Sequence, residues 1–189
     1  GTMAAKTVGV MANAVLTINA SGELVINGSK SWNGLTSGLY NIGTVNNSGI
    51  LRLGNLSSVG HVGIIAERNF NNNVGGEIHI DRSSIVGLST GFTYTFTNSG
   101  KIFIGVNASV GDYGIINYAT FNNNPCAEVY LSAKLSNHST FNNNGLLGIN
   151  TLNAHTNDDP NLLTNNGIIA YPQGNPIPNV TNNEIVIAP

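Results

Sequence analysis

The sequence predicts an all-β chain wound as a single-stranded parallel β-helix, in roughly seven to eight coils, with a ladder of asparagines inside it. Three observations predict it. The first is a recurring phrase: an apolar residue, one or two Asn, usually a Gly, then an alternating apolar pair. It is plainest in Phe70-Asn71-Asn72-Asn73, which leads through Gly75 and Gly76 into Glu77-Ile78-His79-Ile80. It returns at Val45-Asn46-Asn47-Ser48-Gly49, Phe96-Thr97-Asn98-Ser99-Gly100, Phe121-Asn122-Asn123-Asn124, Phe141-Asn142-Asn143-Asn144-Gly145 and Leu163-Thr164-Asn165-Asn166-Gly167. The second is the period. With Ile18, Val45, Phe70, Phe96, Phe121, Phe141, Leu163 and Val180 as phase markers, the spacing is about 17 to 27 residues, the range of a solenoid. The third is the alternation after each glycine, as in Ile102-Phe103-Ile104, which has the period of a strand with one buried face. One short strand cannot bury that face alone, so the coils must stack.

The elements follow in order. Residues 1–16 are set apart as a tag remnant and cap, and residues 17–189 as the helical domain. Gly1-Thr2-Met3 reads as a remnant of a cloning vector. The small apolar run from Ala4 to Val15 suits a capping helix or a first irregular strand, because an end coil leaves backbone unpaired. The coil from Ile18 is the longest and holds an insertion, Ser29 to Gly34, with the only Trp. Middle coils continue with Val62 to Ala66, Gly91 to Thr95 and Gly114 to Tyr118, all β-branched or aromatic and strand-like. Ile85-Val86 and Val110 mark a further short face, giving three faces per coil. Pro172, Pro176 and Pro178 suit a terminal coil.

Two residues after each marker stand Asn47, Asn72, Asn98, Asn123, Asn143, Asn165 and Asn182. Asn tolerates the left-handed conformation of a sharp corner. Its amide can also donate to one coil and accept from another, as in stacked cross-β ladders. The inward pairs are Leu24/Ile26, Leu51/Leu53, Ile78/Ile80, Ile102/Ile104, Val129/Leu131, Leu147/Ile149 and Ile185/Ile187. Phe70, Phe96, Phe121 and Phe141 are expected to stack inside.

On these residues the chain resembles the right-handed parallel β-helix proteins, which include pectate lyases, phage tailspikes and bacterial surface adhesins. The resemblance runs from about Thr17 to Ile187 and concerns architecture. It implies a right-handed winding and, for a non-enzymatic member, a rigid rod displayed outside the cell. Lyases of this group use clustered Asp, Lys and Arg on a groove, often with calcium. Here Asp81-Arg82 and Asp112 stand apart, and the lyase residues find no counterparts.

Composition narrows the classes. Only 8% of the 189 residues are charged, against about a quarter in ordinary domains. The net charge is -2 and the 7 Lys and Arg are scattered, so nucleic acid is not an expected partner. No apolar run approaches the ~20 residues of a membrane-spanning helix. Cys126 alone makes no internal disulfide, and after Pro125 it reads as a small buried hydrophobe. Asn27, Asn55, Asn107 and Asn137 match the glycosylation pattern, which chance supplies in a chain so rich in Asn. His155 with Asp158 and Asp159 reads as a Pro-bounded turn. No metal or cofactor is expected. Regular Thr-x-Thr columns are missing; Thr93-x-Thr95 stands alone.

In-register stacking puts Val25, Arg52, His79, Phe103, Tyr130, Gly148 and Ala170 in one outward column. Within it Arg52, His79, Phe103 and Tyr130 are the candidate ligand-binding residues, two aromatics beside two potential cations. A sugar ring on Phe103 or Tyr130 is the sharp reading; cross-strand packing is the plain one. Glu77, Lys101 and Glu128 form a neighbouring column of alternating sign, read as surface ion pairs. The expectation is a structural or adhesive segment of a secreted or cell-surface bacterial protein, carrying flanking domains and binding polysaccharide or a host or cell-surface glycan along one face. A polysaccharide lyase or glycoside hydrolase is the alternative, with the non-enzymatic reading preferred.

Overall fold

A computed structural model describes residues 1–32, 34–151, 155–158, 162–172, 177–178, 180–182 and 186–187. The chain forms a parallel β-solenoid whose described residues contain no helix. The first rung is β1 (Thr2–Ala5), β2 (Val8–Val10) and β3 (Val15–Ile18). The second is β4 (Glu23–Ile26), β5 (Lys30–Trp32), β6 (Leu35–Asn41) and β7 (Thr44–Asn47). The third is β8 (Ile50–Leu53), β9 (Val62–Ala66) and β10 (Phe70–Asn72); the fourth is β11 (Glu77–Ile80), β12 (Val86–Thr90) and β13 (Thr95–Asn98). The fifth is β14 (Lys101–Ile104), β15 (Tyr113–Asn117) and β16 (Thr120–Asn123); the sixth is β17 (Glu128–Leu131), β18 (Lys134–Asn137) and β19 (Phe141–Asn143). The seventh is β20 (Leu146–Ile149), β21 (Thr156–Asn157) and β22 (Leu163–Asn165), after which come β23 (Ile168–Ala170), β24 (Val180–Asn182) and β25 (Val186–Ile187).

Each rung adds one strand to each of three sheets. The first sheet runs β1-β4-β8-β11-β14-β17-β20-β23-β25, the second β2-β6-β9-β12-β15-β18-β21, and the third β3-β7-β10-β13-β16-β19-β22-β24. From the first complete rung to the last the chain makes about six turns, somewhat fewer than the seven or eight coils expected.

The core is made of stacked like residues. Phe70, Phe96, Phe121 and Phe141 are fully buried, with successive ring centroids 4.8, 4.9 and 4.6 Å apart and planes within 14°. The inward pairs from Leu24/Ile26 to Leu147/Ile149 are buried as expected. Burying each such side chain contributes about 1.5–3 kcal/mol.

The asparagine ladder closes at the edge of the third sheet. Asn47 Nδ2 donates to Asn72 Oδ1 at 2.8 Å, Asn72 to Asn98 at 2.8 Å, Asn98 to Asn123 at 2.8 Å, Asn123 to Asn143 at 2.7 Å and Asn143 to Asn165 at 2.6 Å. The same nitrogens also reach the backbone carbonyls of Glu77, Lys101, Glu128, Leu146 and Ile168. These buried amides therefore donate twice each, to the ladder amide of the next rung and to the first strand that follows it. A left-handed backbone is not their role: the only non-glycine residues with positive φ among those described are Asn13 and Cys126. The glycine that follows serves close approach. A Cβ on Gly100 would lie 2.1 Å from the carbonyl oxygen of Gly76 one rung before.

Several expectations change. Residues 2–18 are strands of the first rung, so of the two forms expected for the cap segment the strand is the one present. Leu16, not Ile18, pairs with Val45; Ile18 occupies the ladder position beside Asn47. The second-sheet strand of the fourth rung is Val86–Thr90, and Gly91 to Tyr94 is an irregular corner that carries Phe92 outward. Val86 is thus part of the second face itself. Val110 bridges to Ser83 at a separate corner. At the end, Val186 pairs with Ile169 and Ile187 with Ala170, one residue out of the expected register. The insertion after Gly28 forms an antiparallel hairpin of β5 on β6. Cys126 is exposed rather than buried, at φ 65°.

Candidate functional site

The outward column of the first sheet is built as the register demands. Val25 pairs with Arg52, Arg52 with His79, His79 with Phe103, Phe103 with Tyr130, Tyr130 with Gly148 and Gly148 with Ala170. The contacts made along it divide the four candidate residues into two kinds.

Arg52 and His79 are occupied within the protein. Arg52 Nε donates to Glu23 Oε1 at 3.4 Å, and His79 Nε2 lies 2.9 Å from Glu77 Oε2. The His79 ring stacks on Phe103 with centroids 4.8 Å apart, and Phe103 stacks on Tyr130 at 5.4 Å and 3°. Phe103 is therefore covered on both faces and shows solvent its edge. Tyr130 stacks on Phe103 by one face, and beyond it no further ring continues the stack. The next position in the column is Gly148, and a Cβ there would lie 2.9 Å from Tyr130 Cδ1. The glycine lets the tyrosine ring lie against the following rung, and it leaves that side of the ring without a neighbouring side chain.

A cleft of about 680 Å³ opens at that place. Its lining includes Phe103, Tyr130, Gly148 and Ala170 of the column, with Ser132, Asn150, Tyr171 and Pro172. Lys101 and Glu128 flank it, their Nζ and Oε1 3.1 Å apart. The size falls within the range of ligand pockets, about 300–1,000 Å³. The hydrogen bond to Glu128, and then its charge, hold the Lys101 ammonium protonated to higher pH than usual. Burial, followed by its own hydrogen bond to Glu128, raises the Tyr130 hydroxyl. At neutral pH the cleft thus offers an ammonium and a phenol O–H. Glu77, expected to pair with Lys101 in the alternating column, turns to His79 instead.

Sequence reasoning placed Phe103 and Tyr130 in one column but missed Gly148, Ala170, Tyr171 and Pro172 as the rest of the cleft. The visible signal was the drop in size along the column after Tyr130.

Other acidic positions have structural partners. Arg82 Nη1 donates to the carbonyl of Gly54 at 2.9 Å and to that of Asn55, and the buried Asp81 accepts from Asn107 Nδ2 at 3.0 Å. His155 is buried and its Nδ1 accepts the N–H of Leu135, whereas Asp158 is exposed and meets His138; Asp159 lies outside the described residues. Among the described residues no three His, Cys, Asp or Glu side chains gather as a metal site would require. No helix there is long and apolar enough to cross a membrane.

A second ladder, which the sequence reading missed, runs along the edge of the second sheet. Thr90 Oγ1 donates to Asn117 Oδ1 at 2.8 Å, Asn117 Nδ2 to Asn137 at 2.8 Å, and Asn137 Nδ2 to Asn157 at 2.7 Å. Asn137 is fully buried in it, so its glycosylation match is that of a core residue. Only the 20-residue recurrence from Asn117 to Asn157 signals this ladder, because Ala66 and Thr90 interrupt it earlier. On the outside of the third sheet, Thr17, Asn46, Asn71, Thr97, Asn122, Asn142, Thr164 and Thr181 form a mixed column of hydroxyls and amides.

No family model, no curated protein and no solved structure matches the chain. Its likeness to parallel β-helix proteins is therefore one of architecture.

Proposed function

We propose that the chain is a structural and adhesive β-helix module of an exported or cell-surface protein, and that it binds polysaccharide in the cleft beyond Tyr130. The observation that carries this reading is the cleft beside the Tyr130 ring, where the column of large side chains ends at Gly148. Four of the rung positions in this column hold large side chains, and three of those, His79, Phe103 and Tyr130, spend their ring faces on one another. At Gly148 the stack stops, and there the Tyr130 ring borders a recess also lined by Lys101, Glu128, Ser132 and Asn150. A pyranose ring presents C–H groups on one face and hydroxyls around its edge. Such a ring suits a recess bordered by the Tyr130 ring, with Lys101, Glu128, Ser132 and Asn150 in the lining as partners for its hydroxyls.

Binding is favoured over chain cleavage by the charge states. A general base works best with its pKa near the working pH, whereas Lys101 and Tyr130 are both shifted upward, toward their protonated forms. Glycoside hydrolysis in its usual form needs two carboxyl groups across the bond, and the cleft is lined by Glu128 alone among the described residues.

Titration calorimetry of the whole chain with a panel of neutral and acidic oligosaccharides tests the reading. Tyr130→Ala is expected to weaken binding at least about tenfold, roughly 1.4 kcal/mol. Gly148→Leu, which fills the recess, is expected to do the same, and Arg52→Ala to leave affinity unchanged. Binding that survives both Tyr130→Ala and Gly148→Leu, or soluble unsaturated oligosaccharides released from polymer, would overturn it.

A further inference from the structure

On the other side of the rod, three side chains from two rungs meet in a definite order. Ser136 Oγ lies 2.8 Å from His138 Nε2, and His138 Nδ1 lies 2.5 Å from Asp158 Oδ2. We infer that Ser136, His138 and Asp158 form an activated-serine site that hydrolyses esters of small acyl groups. The site lies on the second sheet and does not depend on the Tyr130 cleft.

The fold explains how the three come together. Asn137 and Asn157 are locked one above the other by the second ladder. The residues that follow them, His138 and Asp158, therefore leave the corner side by side. Ser136 precedes Asn137 on β18 and points to the outer face, so its hydroxyl reaches the nearer nitrogen of the same histidine. Tyr118, one rung back, stacks on the imidazole with centroids 4.8 Å apart and planes at 12°. The ring is thus held from one side by an aromatic face and at both nitrogens by oxygen partners.

This is the arrangement in which a base accepts a hydroxyl proton while a carboxylate fixes its tautomer and steadies the imidazolium that forms. The solenoid does not need it. The equivalent positions of earlier rungs carry Ile65 with Glu67, Ser89 with Gly91, and Ile116 with Tyr118. Thr156 adds a further group: its Oγ1 lies 2.7 Å from Ser136 Oγ and its residue is exposed, so it helps to fix the serine hydroxyl beside His138. Ser136 itself is only 5% exposed, so the acyl part of the ester must be small, while the half-open His138 and Asp158 leave a way in for water.

The chemistry balances with water as the only co-reactant. Ser136 Oγ attacks the ester carbonyl carbon as His138 Nε2 takes the hydroxyl proton. The tetrahedral adduct expels the alkoxide, which receives that proton and leaves as the alcohol. Water then gives a proton to His138 and attacks the acyl-serine; the carboxylic acid departs and His138 returns the proton to Ser136.

The full chain is incubated with a fluorophosphonate probe and, separately, with p-nitrophenyl acetate. The expected result is stoichiometric labelling mapped to Ser136 by peptide mass spectrometry, with ester hydrolysis lowered on the order of 10²-fold in Ser136→Ala and His138→Gln. Asp158→Asn changes an exposed residue, keeps the test valid if the other two variants unfold, and is expected to lower both labelling and hydrolysis. Absence of label at Ser136, or equal hydrolysis by the native chain and folded Ser136→Ala or Asp158→Asn, would overturn the inference and leave the three residues as a bracing rung.

Discussion

Cys126 shows how one residue can be placed correctly and read wrongly. It sits at a corner, as its Pro125 neighbour indicates, but exposed and at φ 65°, where the equivalent position two rungs earlier is Gly75 at φ 80°. An L-residue there carries a steric cost of about 1–2 kcal/mol. Cys126→Gly is therefore expected to raise stability by about 1 kcal/mol in urea unfolding. His155 is the converse case, a polar residue in a turn-like stretch that proves to be core. It is 5% exposed and its Nδ1 accepts the Leu135 N–H. Burial pulls its pKa below the ordinary 6.5. The unfolded chain then binds the proton first, so the sign is fixed: stability is intact above about pH 6.5 and falls as the pH drops below it. Unfolding midpoints measured from pH 7.5 down to pH 5 should decline, and His155→Gln should flatten that decline.

At the scale of the element, the ends of β7, β10, β13, β16 and β19 in the third sheet are each held by an amide that donates to the next ladder amide and to a backbone carbonyl beyond it. Asn123 donates to Asn143 Oδ1 and to the carbonyl of Leu146, and accepts from Asn98. Asn123→Ala strips buried partners on both sides and is expected to cost about 2–3 kcal/mol. Asn142, whose amide bonds to Asn122 at 2.9 Å on the half-buried outer face, should lose less than about 1 kcal/mol as Ala, since water replaces the partner. Urea unfolding of the two variants side by side checks the contrast; equal losses would mean that the inner ladder is not the brace described. The Asn and Gly of each repeat were legible in the sequence because every rung needs the same donors and the same close approach. The corner at Gly91 to Tyr94 was misread as a strand because Thr93, Tyr94 and Thr95 have strand propensity, and pairing by Val86–Thr90 overrides it.

For the whole molecule, apolar stacking and amide ladders do the binding work and charge does little. Among the described residues the ion pairs are partly exposed and join neighbouring side chains only. Raising sodium chloride from low to moderate concentration is expected to change the unfolding free energy by no more than about 0.5 kcal/mol. A large salt effect would show that electrostatics matter more than this composition suggests. The exposed aromatics lie on two different sides of the rod. One set ends in the Tyr130 cleft; the other runs from Phe92 through Tyr118 to His138, with centroids 4.9 and 4.8 Å apart.

Sequence alone determined the solenoid, the inward pairs from Leu24/Ile26 to Leu147/Ile149, the phenylalanine column and the membership of the outward column, because period two within a strand and a near-constant coil length both survive in one dimension. Ile18 strayed by two residues where a longer coil broke that constancy. The tertiary structure alone decided that Arg52, His79 and Phe103 are taken up by their own neighbours and that the stack ends at Tyr130 beside a cleft. It also brought Ser136, His138 and Asp158 together across a rung. Both outcomes depend on which side chain occupies the next turn about 4.8 Å away, and that neighbour is some twenty or more residues distant along the chain.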